Sequence, residues 1–148
     1  MNQRTECCSQ CPFARATSKE YLDTKGDNGE RFIGQSIGPF ILPCHMHRDF
    51  EQWAEKADSI PQCAGAAKYR ANIGVSDLMP EALGRLPADT ETVFANPEEL
   101  LAHHRGVSID YAKMVLTIIP PVAFLEHEMN KQEMTILKSK LRKLEQVT

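Results

Sequence analysis

A chain of 148 residues with a formal charge of −3 can bury a hydrophobic core and is too acidic overall to act as a generic binder of polyanions. Its 42% hydrophobic and 25% charged residues are those of an ordinary globular protein and exclude a disordered or fibrous chain. No stretch approaches the roughly 20 apolar residues that span a bilayer, and residues 1–6 are polar, so neither a membrane segment nor a signal peptide is expected.

Taken in order, residues 7–13 form a polar turn carrying Cys7, Cys8 and Cys11. A short helix fits 15–23, and the run Thr24-Lys25-Gly26-Asp27-Asn28-Gly29 breaks it with strong turn chemistry. In 31–41 the apolar residues are interrupted by Gly34 and Gly38, which reads as loop with one short strand leading to Cys44. Residues 49–58 place Phe50, Trp53, Ala54 and Ala57 at spacings of three and four, the pattern of a helix face, with Asp49 as its cap. A second helix is expected over 63–70, starting at Cys63, and a short one over 76–83 broken by Pro80.

The second half carries clearer signals. Asn96-Pro97-Glu98-Glu99 combines a capping Asn, Pro at the first helical position and acids in the first turn, and Gly106 stops that helix. Ser108 caps the next, over 110–119, whose predicted packed face is Tyr111, Met114, Val115 and Ile118. Pro120-Pro121 forces a break, and a long helix runs from 122 to the end. Its residues Met134, Leu137, Leu141 and Leu144 make a heptad-like seam. The expected fold is mainly α: an irregular metal-bound half with short helices over 1–86, then a helical half over 87–148 ending in the long amphipathic helix.

The chemistry lies in the cysteines. Cys8 and Cys11 form C-x2-C, Cys44 follows after 32 residues beside His45, and Cys63 follows after 18 more. Each stands in a polar, turn-like setting, whereas thiols kept only for packing favour apolar runs. In a reducing cytoplasm, the expected location, such a pattern indicates a metal or catalysis rather than disulfides. Cys8, Cys11, Cys44 and Cys63 are the expected ligands, His45 is an additional candidate, and Cys7 is the spare thiol. Zinc would take four thiolates as a closed tetrahedral site, and a 4Fe-4S cluster would use the same four. Two features favour the cluster. Cys44 and Cys63 are isolated rather than paired in a second knuckle, and Pro12 follows Cys11 as a proline follows the last cysteine of bacterial ferredoxin runs.

The segments Cys-x-x-Cys-Pro-Phe, Pro-Cys-His-Met and Gln-Cys-Ala-Gly resemble an uncharacterised family of small cysteine-cluster proteins common in phage genomes. The likeness covers residues 8–72, with one departure: Ala14 stands between the aromatic Phe13 and the basic Arg15. The resemblance implies a phage-encoded protein in which Cys8, Cys11, Cys44 and Cys63 act together with His45 beside them. It implies no activity.

Other signals are weaker. His103 and His104 are neighbours on a helix and should point to different sides, which argues against a metal pair. His127-Glu128 lacks the second histidine of a zincin motif, since position 131 is Lys. There is no phosphate-binding glycine loop and no nucleophile elbow. Four thiolates would close the coordination sphere against water, so a non-enzymatic role is favoured over a hydrolase. The expected function is a metal-containing binding or regulatory protein, with an iron–sulfur electron carrier or sensor and a zinc-stabilised nucleic-acid binder as the alternatives. Partner contact is assigned to Lys138, Lys140, Arg142 and Lys143 on a helix that nets +3 over residues 131–145. Self-association or a host protein ranks ahead of nucleic acid there.

Overall fold

The structure is a computed structural model that describes residues 6–8, 10–38, 40, 42, 62–79 and 84–147. Cys44, His45 and the helix expected over 49–58, with Phe50 and Trp53, lie outside the described residues.

The chain is mainly helical. Among the described residues six α-helices follow one another: α1 Tyr21–Thr24, α2 Gly29–Ser36, α3 Ala64–Asn72, α4 Pro97–Arg105, α5 Ile109–Ile118 and α6 Pro121–Val147. A 3-10 turn, Ser76–Leu78, stands where a short helix was expected over 76–83. Of the helix expected over 15–23, turns occupy the first part and only α1 is helical.

The caps act as read. Asn96 accepts a hydrogen bond from the Glu99 amide, and Ser108 accepts one from that of Tyr111. Gly106 ends α4 in the left-handed region at φ 67°, a conformation that costs a residue with a Cβ.

Helix α2 replaces the loop and strand expected over 31–41. Asn28 caps it by accepting from the Arg31 amide. Gly34, read as a breaker, is a packing residue: a Cβ there would lie 2.6 Å from the Phe124 carbonyl carbon and 2.8 Å from the Leu125 nitrogen. The missing side chain lets the α6 backbone cross directly over α2. Gly38 makes room for Leu125 in the same way.

One core draws on both halves of the sequence. Phe13, Ile33, Tyr69, Val93, Phe94, Leu100, Leu101, Ala112 and Leu116 are buried in a single cluster together with Cys11 and Cys63. Most of the predicted face of α5 is turned outward: Ala112 and Leu116 pack inward and Val115 is partly buried against the core as expected, while Tyr111, Met114 and Ile118 are exposed. This helix is apolar on several sides, so two inward-facing faces were compatible with its sequence, and burial selects the one with the small Ala112.

Helix α6 changes character along its length. Its first turns pack on α2, with Phe124 and Leu125 half-buried and Glu128 buried. From Met129 through Leu144 every residue whose side chain is described is exposed. No described helix is long and apolar enough to cross a membrane.

Candidate metal centre

The first two cysteines of the site sit on a tight turn. The Cys11 amide donates to the Cys8 carbonyl at 3.3 Å, and the Ala14 amide donates to the Cys11 carbonyl at 3.2 Å. The Thr17 hydroxyl caps the same Cys11 carbonyl at 2.6 Å. An antiparallel bridge between Ala14 and Val93 ties the loop to the chain before α4.

Two histidines hold this loop from the other side. His103 Nε2 donates to the Thr17 carbonyl at 2.6 Å and His104 Nε2 to the Pro12 carbonyl at 2.7 Å; a carbonyl can only accept, so both rings carry the proton on Nε2. The sequence expectation that they diverge is corrected, because the rings lie 5.0 Å apart and address one loop from the last turn of α4. Burial, the largest influence, pushes the His104 pKa down. Its Nδ1 is buried without a hydrogen-bond partner among the described residues, which suits the neutral ring.

Cys63 arrives from a different direction. It is the residue before α3, with its amide bound to the Leu42 carbonyl at 2.7 Å and its thiol not used as a helix cap. It therefore stands at the positive end of the helix, where a thiolate is favoured. Its sulfur lies 3.9 Å from that of Cys11, and both residues are buried. Cys7, expected to be a bystander, is hydrogen-bonded to Cys11. Hydrogen bonds with Cys63 and Cys7, then burial, push the Cys11 pKa up, while the bond with Cys11 holds the Cys7 thiol below its usual range. Cys8 packs half-buried against the same core.

Gly65 explains the Cys-Ala-Gly motif. A Cβ at this position would collide with the Cys11 sulfur and would stand 3.3 Å from Phe13 Cβ and 3.5 Å from the Cys7 sulfur. The space a side chain would fill is taken by thiols.

Arg70, not singled out in the sequence, lies about two turns further along α3 and is buried at 1% exposure. Its guanidinium donates to the Ser36 carbonyl at 3.0 Å, the Phe40 carbonyl at 2.7 Å and the Gln62 side-chain oxygen. All of these acceptors are neutral. Burial lowers the Arg70 pKa to about 10, against which the charge of Cys63 works, so the group stays cationic at neutral pH. A buried cation is costly to desolvate, and a charge on Cys63, two helical turns back along α3, would act in its favour.

These observations test whether the residues fit a metal. Two thiolates on one tetrahedral zinc, each at about 2.3 Å, stand about 3.8 Å apart; the Cys11–Cys63 separation of 3.9 Å is compatible with that spacing and equally with a hydrogen bond between two thiols. A cubane interposes irons and sulfides between its ligands and holds the thiolates farther apart. Among the described residues no group of three or more His, Cys, Asp or Glu side chains is arranged to hold an ion. What the described residues bring together is the Cys11–Cys63 sulfur pair, with Cys7 hydrogen-bonded to Cys11 and Cys8 half-buried against the same core. Comparison of the chain with protein-family models, with curated proteins and with solved structures finds no match.

Proposed function

We propose that the chain is a small binding protein whose N-terminal loops are held by a zinc–thiolate centre and whose C-terminal helix makes contact with a partner. Cys11 and Cys63 would form the central edge of the site, with Cys8 and Cys44 completing it. The observation that supports this reading is the buried 3.9 Å approach of two sulfurs 52 residues apart in the chain. Bound zinc supplies cross-linking and no redox chemistry. The chain's own residues do the rest: α3 presents Cys63 at its positive end, Arg70 balances thiolate charge, and Thr17, His103 and His104 fix the loop that carries Cys11. Four thiolate ligands leave no position for a reacting water, so the reading is non-enzymatic. Because ligands far apart in sequence couple metal affinity to folding, Ser at Cys8, Cys11, Cys44 or Cys63 should each lower zinc content and stability together, measured by elemental analysis and thermal melting. Cys7→Ser should keep the zinc. Full zinc in the Cys11→Ser and Cys63→Ser proteins would reject the centre.

A further inference from the structure

Among the described residues nothing packs on the apolar seam of the outer part of α6. Met134, Leu137, Leu141 and Leu144 are 52%, 49%, 50% and 64% exposed. In proteins most helical stability comes from packing of an apolar face rather than from propensity. Met129 and Ile136, also exposed, recur seven residues apart on the outer face and do not belong to the seam.

The charges beside the seam indicate what covers it. With Met134 and Leu141 at heptad position a, and Leu137 and Leu144 at d, position g is filled by Glu133 and Lys140 and position e by Lys138 and Glu145. In a parallel pair of helices, g of one chain faces the following e of the other. Glu133 then meets Lys138 of the second copy, and Lys140 meets Glu145. Both pairs are of opposite sign. The antiparallel alignment that keeps the same four apolar layers opposes e to e and g to g: it sets Lys138 against Lys138 and Lys140 against Lys140, and its Lys131–Glu145 pairs offset this only in part, whereas every such pair of the parallel alignment is of opposite sign. Charges at these positions choose partner and orientation.

We propose that the partner of the C-terminal helix is a second copy of this chain, joined in parallel through Met134, Leu137, Leu141 and Leu144. The inference rests on the reading of α6 as the contact element and is independent of the metal centre. The dimer places two copies of the basic stretch 138–143 side by side and sends both globular bodies to the same end.

Sedimentation equilibrium of the full chain over a range of concentrations tests it. Wild type should show a concentration-dependent dimer, and Leu137→Asp/Leu141→Asp should be monomeric with unchanged zinc content and unchanged melting of the body. Glu133→Lys should weaken the dimer several-fold, and adding Lys138→Glu should restore it. Oxidising Leu144→Cys should give a 144–144 disulfide by peptide mapping. A wild-type monomer at all concentrations, or a dimer that survives Leu137→Asp/Leu141→Asp, overturns the proposal. So does a 134–144 link when Met134→Cys and Leu144→Cys proteins are mixed and oxidised. A monomer that instead retards DNA or RNA in a salt-sensitive manner overturns it in favour of nucleic acid. A dimer without metal would reject only the zinc centre, and a metal-bearing monomer only the dimer.

Discussion

Replacing Gly65 by Ala sets two effects of opposite sign against each other. Gly65 is the second residue of α3, and Gly→Ala inside a helix is worth up to about 1 kcal/mol in favour of folding. The added Cβ, however, would collide with the Cys11 sulfur and stand 3.3 Å from Phe13 Cβ. Cys11 has little freedom to retreat, because its carbonyl is held by Thr17 at 2.6 Å and the adjoining Pro12 carbonyl by His104 at 2.7 Å. Overpacking of this kind costs about 1–3 kcal/mol and occasionally more, and a rigid buried neighbour places Gly65→Ala at the upper end. The net expectation is a loss of about 2 kcal/mol, read as a fall in melting temperature of about 4–8 °C for a chain of this size. Since the displaced atom is a proposed ligand, zinc content should fall as well. Circular dichroism melting and elemental analysis of the same sample check both. A variant as stable as wild type, or more so, with its zinc retained, would refute the reasoning that the thiols occupy this space.

Three further outcomes are expected. Gly34→Ala should lose about 1–3 kcal/mol in urea denaturation despite its better helix propensity, because its Cβ would lie 2.6 Å from the Phe124 carbonyl carbon and push α6 off α2; a neutral result would reject the close helix crossing. Arg70→Met should cost on the order of 3 kcal/mol, since it strands buried acceptors at Ser36, Phe40 and Gln62, and the loss should be greater with metal bound than after chelation; equal losses would reject the charge coupling to the thiolates. The depressed pKa of His104 makes the unfolded chain bind more protons at mildly acid pH, so its contribution is present above the unfolded value near 6.5 and is lost as pH falls toward the folded one. Stability should therefore drop as pH falls through and below about 6.5, and His104→Gln should remove that part of the slope; an unaltered slope would show that another group causes it.

Local rules were legible in the sequence and long-range ones were not. Asn96, Ser108 and Gly106 act on backbone groups three or four residues away, so their roles follow from neighbours in the chain. Gly34 acts on Phe124, ninety residues on, and only the α2–α6 crossing turns an apparent helix breaker into a packing residue. The α5 face failed for a related reason: with apolar residues on several sides, the helix is oriented by what Ala112 can approach, not by its own periodicity. The site divides in the same way. Turn context picked out Cys8, Cys11 and Cys63 as chemistry-bearing residues, but the 3.9 Å approach of Cys11 to Cys63 depends on how the loop and α3 meet. Arg70 had no local signal, since its acceptors at Ser36 and Phe40 lie 34 and 30 residues away. The pairing of His103 and His104 on one loop was equally hidden, because each ring answers a carbonyl more than eighty residues distant.

The central claim is tested most directly by measuring zinc, iron and acid-labile sulfide in anaerobically purified full-length protein, alongside its absorbance near 400 nm. The account predicts a colourless protein with one zinc per chain and no sulfide. A brown protein containing iron and sulfide would contradict the zinc assignment in favour of a cluster on the same thiols, and a protein with neither metal would contradict the centre itself.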